Sequence, residues 1–161
     1  LPVNRRAGHQ TMPNLPIDAP IYTVQELHGL EQMLAQHPLI LQLNPDMPLS
    51  RYRELLQLML PKGYRMVAAF NAGGRCIGLS GFWISAKLYS GKYLEPDNFV
   101  VDAAHRAAGV GKLLWDWMLQ EAQRHQCDTV MLDAYVTNAA AHRFYFREDF
   151  HVKSFHFFKS L

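Results

Sequence analysis

The chain has 161 residues, of which 49% are hydrophobic and 19% charged, and a formal net charge of +2. That length suits one domain with a substantial core, and the balance excludes a disordered polar chain. The charge is too small to argue for nucleic acid or a membrane surface. No apolar run approaches the roughly 18–20 residues of a membrane helix, and two cysteines make neither a disulfide framework nor a metal-type spacing, so a reduced, cytoplasmic setting is the default expectation.

Leu1 to Pro20 hold four prolines and no periodicity. They read as a mobile arm (1–20) without the apolar core of a signal peptide, ahead of a single domain (21–161), with Met12 a candidate native start. A short strand is expected over Ile21 to Thr23, then a helix with Val24, Leu27, Leu30 and Leu34 on one face, ended by His37-Pro38. A second helix follows Pro48, capped by Ser50 and stopped by Pro61-Lys62-Gly63. Two strands, Tyr64 to Phe70 and Arg75 to Ser85, form a hairpin around Asn71-Ala72-Gly73-Gly74, since asparagine and glycine tolerate positive φ. Gly78 and Gly81 weaken the second of these strands or mark a bulge.

Lys92 to Val101 reads as a third strand, distorted or at an edge in its first half because of Pro96. A loop punctuated by Arg106, Gly109 and Gly111 follows. Beyond it Val110, Leu113, Leu114, Trp117, Met118 and Ala122 recur at the offsets of one helical face. Asp128 to Tyr135 is then a strand, Asn138 to Asp149 a helix, and the phenylalanine-rich His151 to Lys159 a closing strand. The order predicts an α/β (α+β) fold: a mixed, largely antiparallel twisted sheet flanked by helices. It carries one parallel, right-handed βαβ crossover from the Phe99 strand to the Asp128 strand.

A strand, a glycine turn and a helix in succession suit an anion, because the first amides of a helix lack internal partners and the dipole is positive there. A Walker A loop is excluded, since Arg106 stands where its first glycine should be and Leu113 replaces the hydroxyl residue. A dinucleotide fingerprint is excluded too, because Leu114 replaces its third glycine.

Arg106-x-x-Gly109-x-Gly111 instead resembles the acyl-coenzyme A pyrophosphate loop of the GNAT N-acetyltransferase superfamily. Asn138-Ala-Ala-Ala-His-Arg-Phe144-Tyr145 through Phe150 resembles that superfamily's second signature. Asp149 replaces the usual glycine and can take the same left-handed conformation. Ala107 and Ala108 depart from the usual loop interior at little cost to contacts made by backbone amides. The resemblance covers roughly Tyr64 to the end.

It implies a GNAT-like acyl-CoA N-acyltransferase fold with acetyl-CoA as acyl donor and no metal. Main-chain amides of Arg106, Ala107, Ala108, Gly109, Val110, Gly111 and Lys112 would hold the pyrophosphate. Backbone groups of Phe99, Val100 and Val101 would pair with the pantetheine arm, and Asn138 would hydrogen-bond it, alongside an ordinary helix-capping role. Tyr145 is the candidate general acid for the leaving thiolate, against the plainer reading of a core aromatic. Glu95 is the candidate base for the incoming ammonium, with Asp97 competing and ordered water an alternative. The implied reaction moves an acetyl group to a primary amine by direct attack in a ternary complex. The competing reading is a non-catalytic acyl-CoA sensor or interaction domain. The acceptor, a small molecule or a peptide amine, is not legible, and oligomeric state is open, a homodimer included.

Overall fold

The computed structural model describes residues 21–161, so the arm and the Met12 start lie outside the described residues. Five strands form one sheet in sequence order. β1 (Thr23–Leu27) pairs antiparallel with β2 (Arg65–Phe70), β2 with β3 (Cys76–Lys87), and β3 with β4 (Gly91–Val101). The last neighbour, β5 (Thr129–Val130), runs parallel to β4, as the crossover required.

The sheet's two faces are covered by different helices. On one side α1 (Gly29–Leu34), α2 (His37–Ile40) and α3 (Leu49–Met59) bury Met33, Ile40, Tyr52 and Leu56 against Met66, Leu79 and Val100. On the other, α4 (Val110–Arg124) packs Val110, Leu114, Trp115 and Met118 on Val67, Ile77, Phe82 and Leu94, and α5 (Ala139–Arg147) joins that layer through Phe144 and Tyr145. Gly78 lets α4 approach. A Cβ there would lie 2.9 Å from Val110 and 3.1 Å from Leu114, so the glycine is a contact point for the helix.

Several expectations are corrected. Residues 24–27 belong to β1, because the alternating Thr23–Leu27 segment finds a full antiparallel partner in β2, and the helix begins only at Gly29. Pro38 opens the short α2, where its missing N–H costs nothing, and so does not end a helix. Ser50 lies inside α3, whose N-cap is Pro48 and has no side-chain cap. The Asn71 turn holds as expected, its Oδ1 accepting from the Gly73 and Arg75 amides at 3.1 and 3.0 Å.

The largest departure is after α4. The expected strand from Asp128 to Tyr135 is reduced to Thr129–Val130, and the expected closing strand from His151 to Lys159 is exposed and outside any strand. Pro96 accounts for the first. Asp128 N donates to Lys92 O at 2.7 Å and Met131 N to Leu94 O at 3.1 Å, so alternate residues of β4 face β5. The next in that series is Pro96, which has no N–H, and the ladder ends there. With β5 stopped at Val130, the C-terminal segment has no strand edge to join. It runs beside the same region all the same, with His156 Nδ1 2.8 Å from Asp133 Oδ2.

Candidate active site

The gap left beyond Leu94 is shaped by a bulge in β4. Gly81 faces Asp97 and Leu79 faces Val100, so Asn98 and Phe99 together oppose the single residue Ser80. Asn98 carries the strain of the extra residue with φ 58°. The insertion reverses the alternation: before it Lys92, Leu94 and Pro96 present their backbone groups to the open side, after it Phe99 and Val101 do. Asp102 N donates to Ile77 O at 2.9 Å, which fixes this phase and turns the Val100 groups toward β3, so the expectation for Val100 is corrected: of the three residues only Phe99 and Val101 have outward backbone groups. Phe99 and Val101 place their side chains 3.7 Å from the Cβ position of Gly111, at the start of α4.

The loop into α4 has two left-handed residues, Ala107 at φ 64° and Gly109 at φ 83°. Such alternation turns successive amides toward one concavity. Gly109 is the N-cap of α4, and no side chain caps the helix, so the amides of its first turn are left for a ligand or solvent. Arg106 is exposed beside them. Lys112 is engaged elsewhere: its ammonium pairs with Asp116 one turn on and lies 3.4 Å from Glu148 at the end of α5, tying the two helices together.

The helix α5 packs on the α4 layer beside the outward part of β4. Its N-cap is Asn138, whose Oδ1 accepts from Ala141 N at 3.1 Å, and it closes on Asp149 in the left-handed conformation at φ 62°. Phe144 lies 5.9 Å from the Phe99 ring, which seats the helix against the outward part of β4. Tyr145 packs edge-on to Trp115 at 6.1 Å and against Phe150 at 5.8 Å. Burial pushes its phenol above the ordinary value.

Glu95 is on the opposite face of the sheet. It pairs in register with Trp83, whereas its neighbour Leu94 belongs to the α4 layer. Burial raises the Glu95 carboxyl above the usual range, Lys87 opposes the shift, and the nearby Asp133 and Asp97 add to it. Asp97 is raised as well, chiefly by burial, while the Trp83 indole, donating to its Oδ2 at 3.3 Å, pulls the other way. The structure therefore brings the loop, the outward edge of β4 and Tyr145 together on one side, and the two candidate bases on the other, with the gap between them. Sequence reasoning passed over Trp83 and Tyr64, which line the Asp97 side. The only signal for them was Gly81, a strand glycine that marks a close approach.

Among the described residues no group of His, Cys, Asp and Glu could hold a metal ion, and no helix is long and apolar enough to cross a membrane. A family model described as the acetyltransferase (GNAT) family matches residues 31–150. An uncharacterized N-acetyltransferase of Bacillus subtilis (strain 168), YhdJ, is 24% identical over 122 residues, 76% of this chain and 86% of that protein. Aminoglycoside N-acetyltransferase AAC(6')-Iy in complex with CoA superposes with a TM-score of 0.77 at 16% identity, over 91% of this chain and 99% of that one. Glucosamine-6-phosphate N-acetyltransferase of Arabidopsis thaliana does so with a TM-score of 0.68 at 18% identity, over 87% and 98%. At these identities the structural likeness establishes a shared fold.

Proposed function

The chain belongs to the GNAT acetyltransferase family, and from that premise we propose that it transfers an acetyl group from acetyl-CoA to a primary amine by direct attack in a ternary complex. The observation that carries the reading is the juxtaposition of an uncapped α4 N-terminus with the open, unpaired edge of β4 directly before it. When bound, acetyl-CoA supplies the activated acyl group as a thioester. The loop amides from Arg106 to Lys112 suit its pyrophosphate, because they are donors at the positive end of a 15-residue helix. The outward backbone groups of Phe99 and Val101 suit the amide-bearing pantetheine arm, whereas those of Val100 are turned to β3 and its side chain is buried in the α1–α3 layer. Asn138 caps α5 through its Oδ1, which leaves its Nδ2 to donate to the arm.

The two faces divide the proton work. An amine approaching from the Glu95 face gives up its proton to that carboxylate, whose raised pKa favours acceptance, and attacks the carbonyl with its freed lone pair. The nitrogen–carbon bond forms and the carbon–sulfur bond breaks. Tyr145, on the opposite face and held protonated by burial, gives a proton to the leaving sulfur, and the second proton that the nitrogen sheds as the amide forms restores the phenol through water. Asp97 is the second carboxylate in reach of the same face. Acidic groups there, Glu95, Asp97 and Asp133, suit a cationic small-molecule amine, the kind of acceptor that the neighbouring aminoglycoside enzymes are named for. A cytoplasmic setting fits a donor of this kind.

The test is calorimetric titration with acetyl-CoA followed by a free-thiol release assay over a panel of amines. Binding with amine-dependent thiol release is expected. Folded protein that does not bind acetyl-CoA refutes the reading, and binding without turnover on any amine favours a sensor.

A further inference from the structure

The phase of β4 decides which backbone groups face the gap, and a strand with an extra residue can lose it. Removing the bulge would turn the Val100 groups outward and carry Phe99 and Val101 to the wrong face. A left-handed Asn98 is itself unfavourable, though asparagine bears it better than most residues. Something must hold it.

The candidate is Tyr64, the residue before β2. The residue is 3% exposed and its ring lies across Gly81, the residue opposite Asp97 in β3. A Cβ at Gly81 would sit 1.8 Å from the Tyr64 hydroxyl oxygen and 2.3 Å from its Cζ, so the phenol occupies the space that the glycine leaves. There the hydroxyl accepts from Asn98 Nδ2 at 3.4 Å. The Trp83 ring, 5.1 Å from that of Tyr64, backs the phenol, and its indole N–H donates to Asp97 at 3.3 Å, so Asp97 and Asn98 at the bulge's entry are held by the two aromatic groups.

We infer that Tyr64, seated over Gly81, is a positioning residue that locks the Asn98 bulge and so sets the outward backbone groups of Phe99 and Val101 for the pantetheine arm of the donor. This rests on the acetyl-CoA reading above. It predicts an effect confined to one half of the cofactor. The pyrophosphate end meets the α4 loop and is indifferent to the bulge; the pantetheine arm meets the bulged strand.

Tyr64→Phe keeps the ring and its packing and removes only the hydroxyl. Calorimetry would compare CoA with 3′-phosphoadenosine 5′-diphosphate, which carries the pyrophosphate but no pantetheine arm, on the wild-type and variant proteins. Loss of one hydrogen bond's worth of positioning predicts CoA affinity weakened about three- to tenfold, with the fragment's affinity unchanged. Asn98→Val, whose β-branched side chain resists positive φ, should weaken CoA at least as much and again spare the fragment. A parallel loss of both ligands would mean that the hydroxyl acts on the fold at large, and no loss of either would mean that the bulge needs no anchor; both overturn the inference. A wild-type protein that binds neither ligand overturns the acetyl-CoA reading, and this inference with it.

Discussion

Ala107 and Gly109 occupy the same loop with the same sign of φ, 64° and 83°, but only one of them is glycine. For an L-residue with a Cβ the left-handed region costs about 1–2 kcal/mol, and Ala107 bears that in the folded state. Ala107→Gly should relieve it, less about 0.4–1 kcal/mol for the greater freedom of glycine in the unfolded chain. The net expectation is a gain of about 0.5–1 kcal/mol, or a rise in thermal midpoint of about 1–4 °C for a domain of this size. Gly109→Ala is the mirror experiment. Nothing lies within 4 Å of a Cβ built there, so no clash confuses the result and the cost is conformational alone, again about 0.5–1 kcal/mol after the unfolded-state offset. Scanning calorimetry of both variants, with CoA titration to show that the loop amides still bind, gives opposite signs if the reasoning holds. A destabilised Ala107→Gly, or a neutral Gly109→Ala, would refute the left-handed assignment and with it the concave arrangement of amides.

Tyr145→Phe should lower kcat by about 10²–10³-fold while leaving the KM for acetyl-CoA within a few-fold, because the ring's packing on Trp115 and Phe150 persists; a variant with the parent kcat removes the acid role. Glu95→Gln should abolish the acid limb of the kcat/KM profile. In the parent enzyme that limb falls as pH drops through a carboxyl pKa raised by burial, so it should lie above the ordinary glutamate range; an acid limb that survives in Glu95→Gln transfers the base role to Asp97. Arg65 holds Glu26 at 2.7 and 2.6 Å and the 3%-exposed Glu121 at 2.6 Å, so Arg65→Met should cost about 2–4 kcal/mol in urea unfolding at neutral pH. The Arg65 guanidinium depresses the Glu26 pKa, hence that stability is complete above the usual carboxylate range and is lost as pH falls through the lowered value. The gap between parent and variant should accordingly narrow from about pH 7 to about pH 3, and a gap independent of pH would place the effect in packing alone.

The sequence by itself determined the local and the periodic. The Asn71 turn, the left-handed Asp149, the helix from Val110 and the parallel neighbour of β4 all follow from side-chain chemistry within a few residues or from a crossover rule, and the structure has each of them. The two motifs that led to the family are of the same kind, short runs whose backbone needs are written in glycine, asparagine and their spacing. What only the tertiary structure decided depends on partners distant in the chain. Residues 24–27 look helical until β2 offers a ladder, and Pro96 was legible as a distortion, but its consequence, ending β5 at Val130, appears only when the direction of each β4 carbonyl is known. The same holds for the site. Glu95 and Tyr145 were named from their positions in the chain, and their placement on opposite faces of one sheet, with a gap between, comes from packing. The Lys112 ammonium is held by Asp116 one turn on and by Glu148, which only the packing of α5 brings to it. Tyr64 was invisible as a functional residue because its partners, Gly81 and Asn98, are brought to it by β-sheet register, a long-range property that no window of local sequence contains.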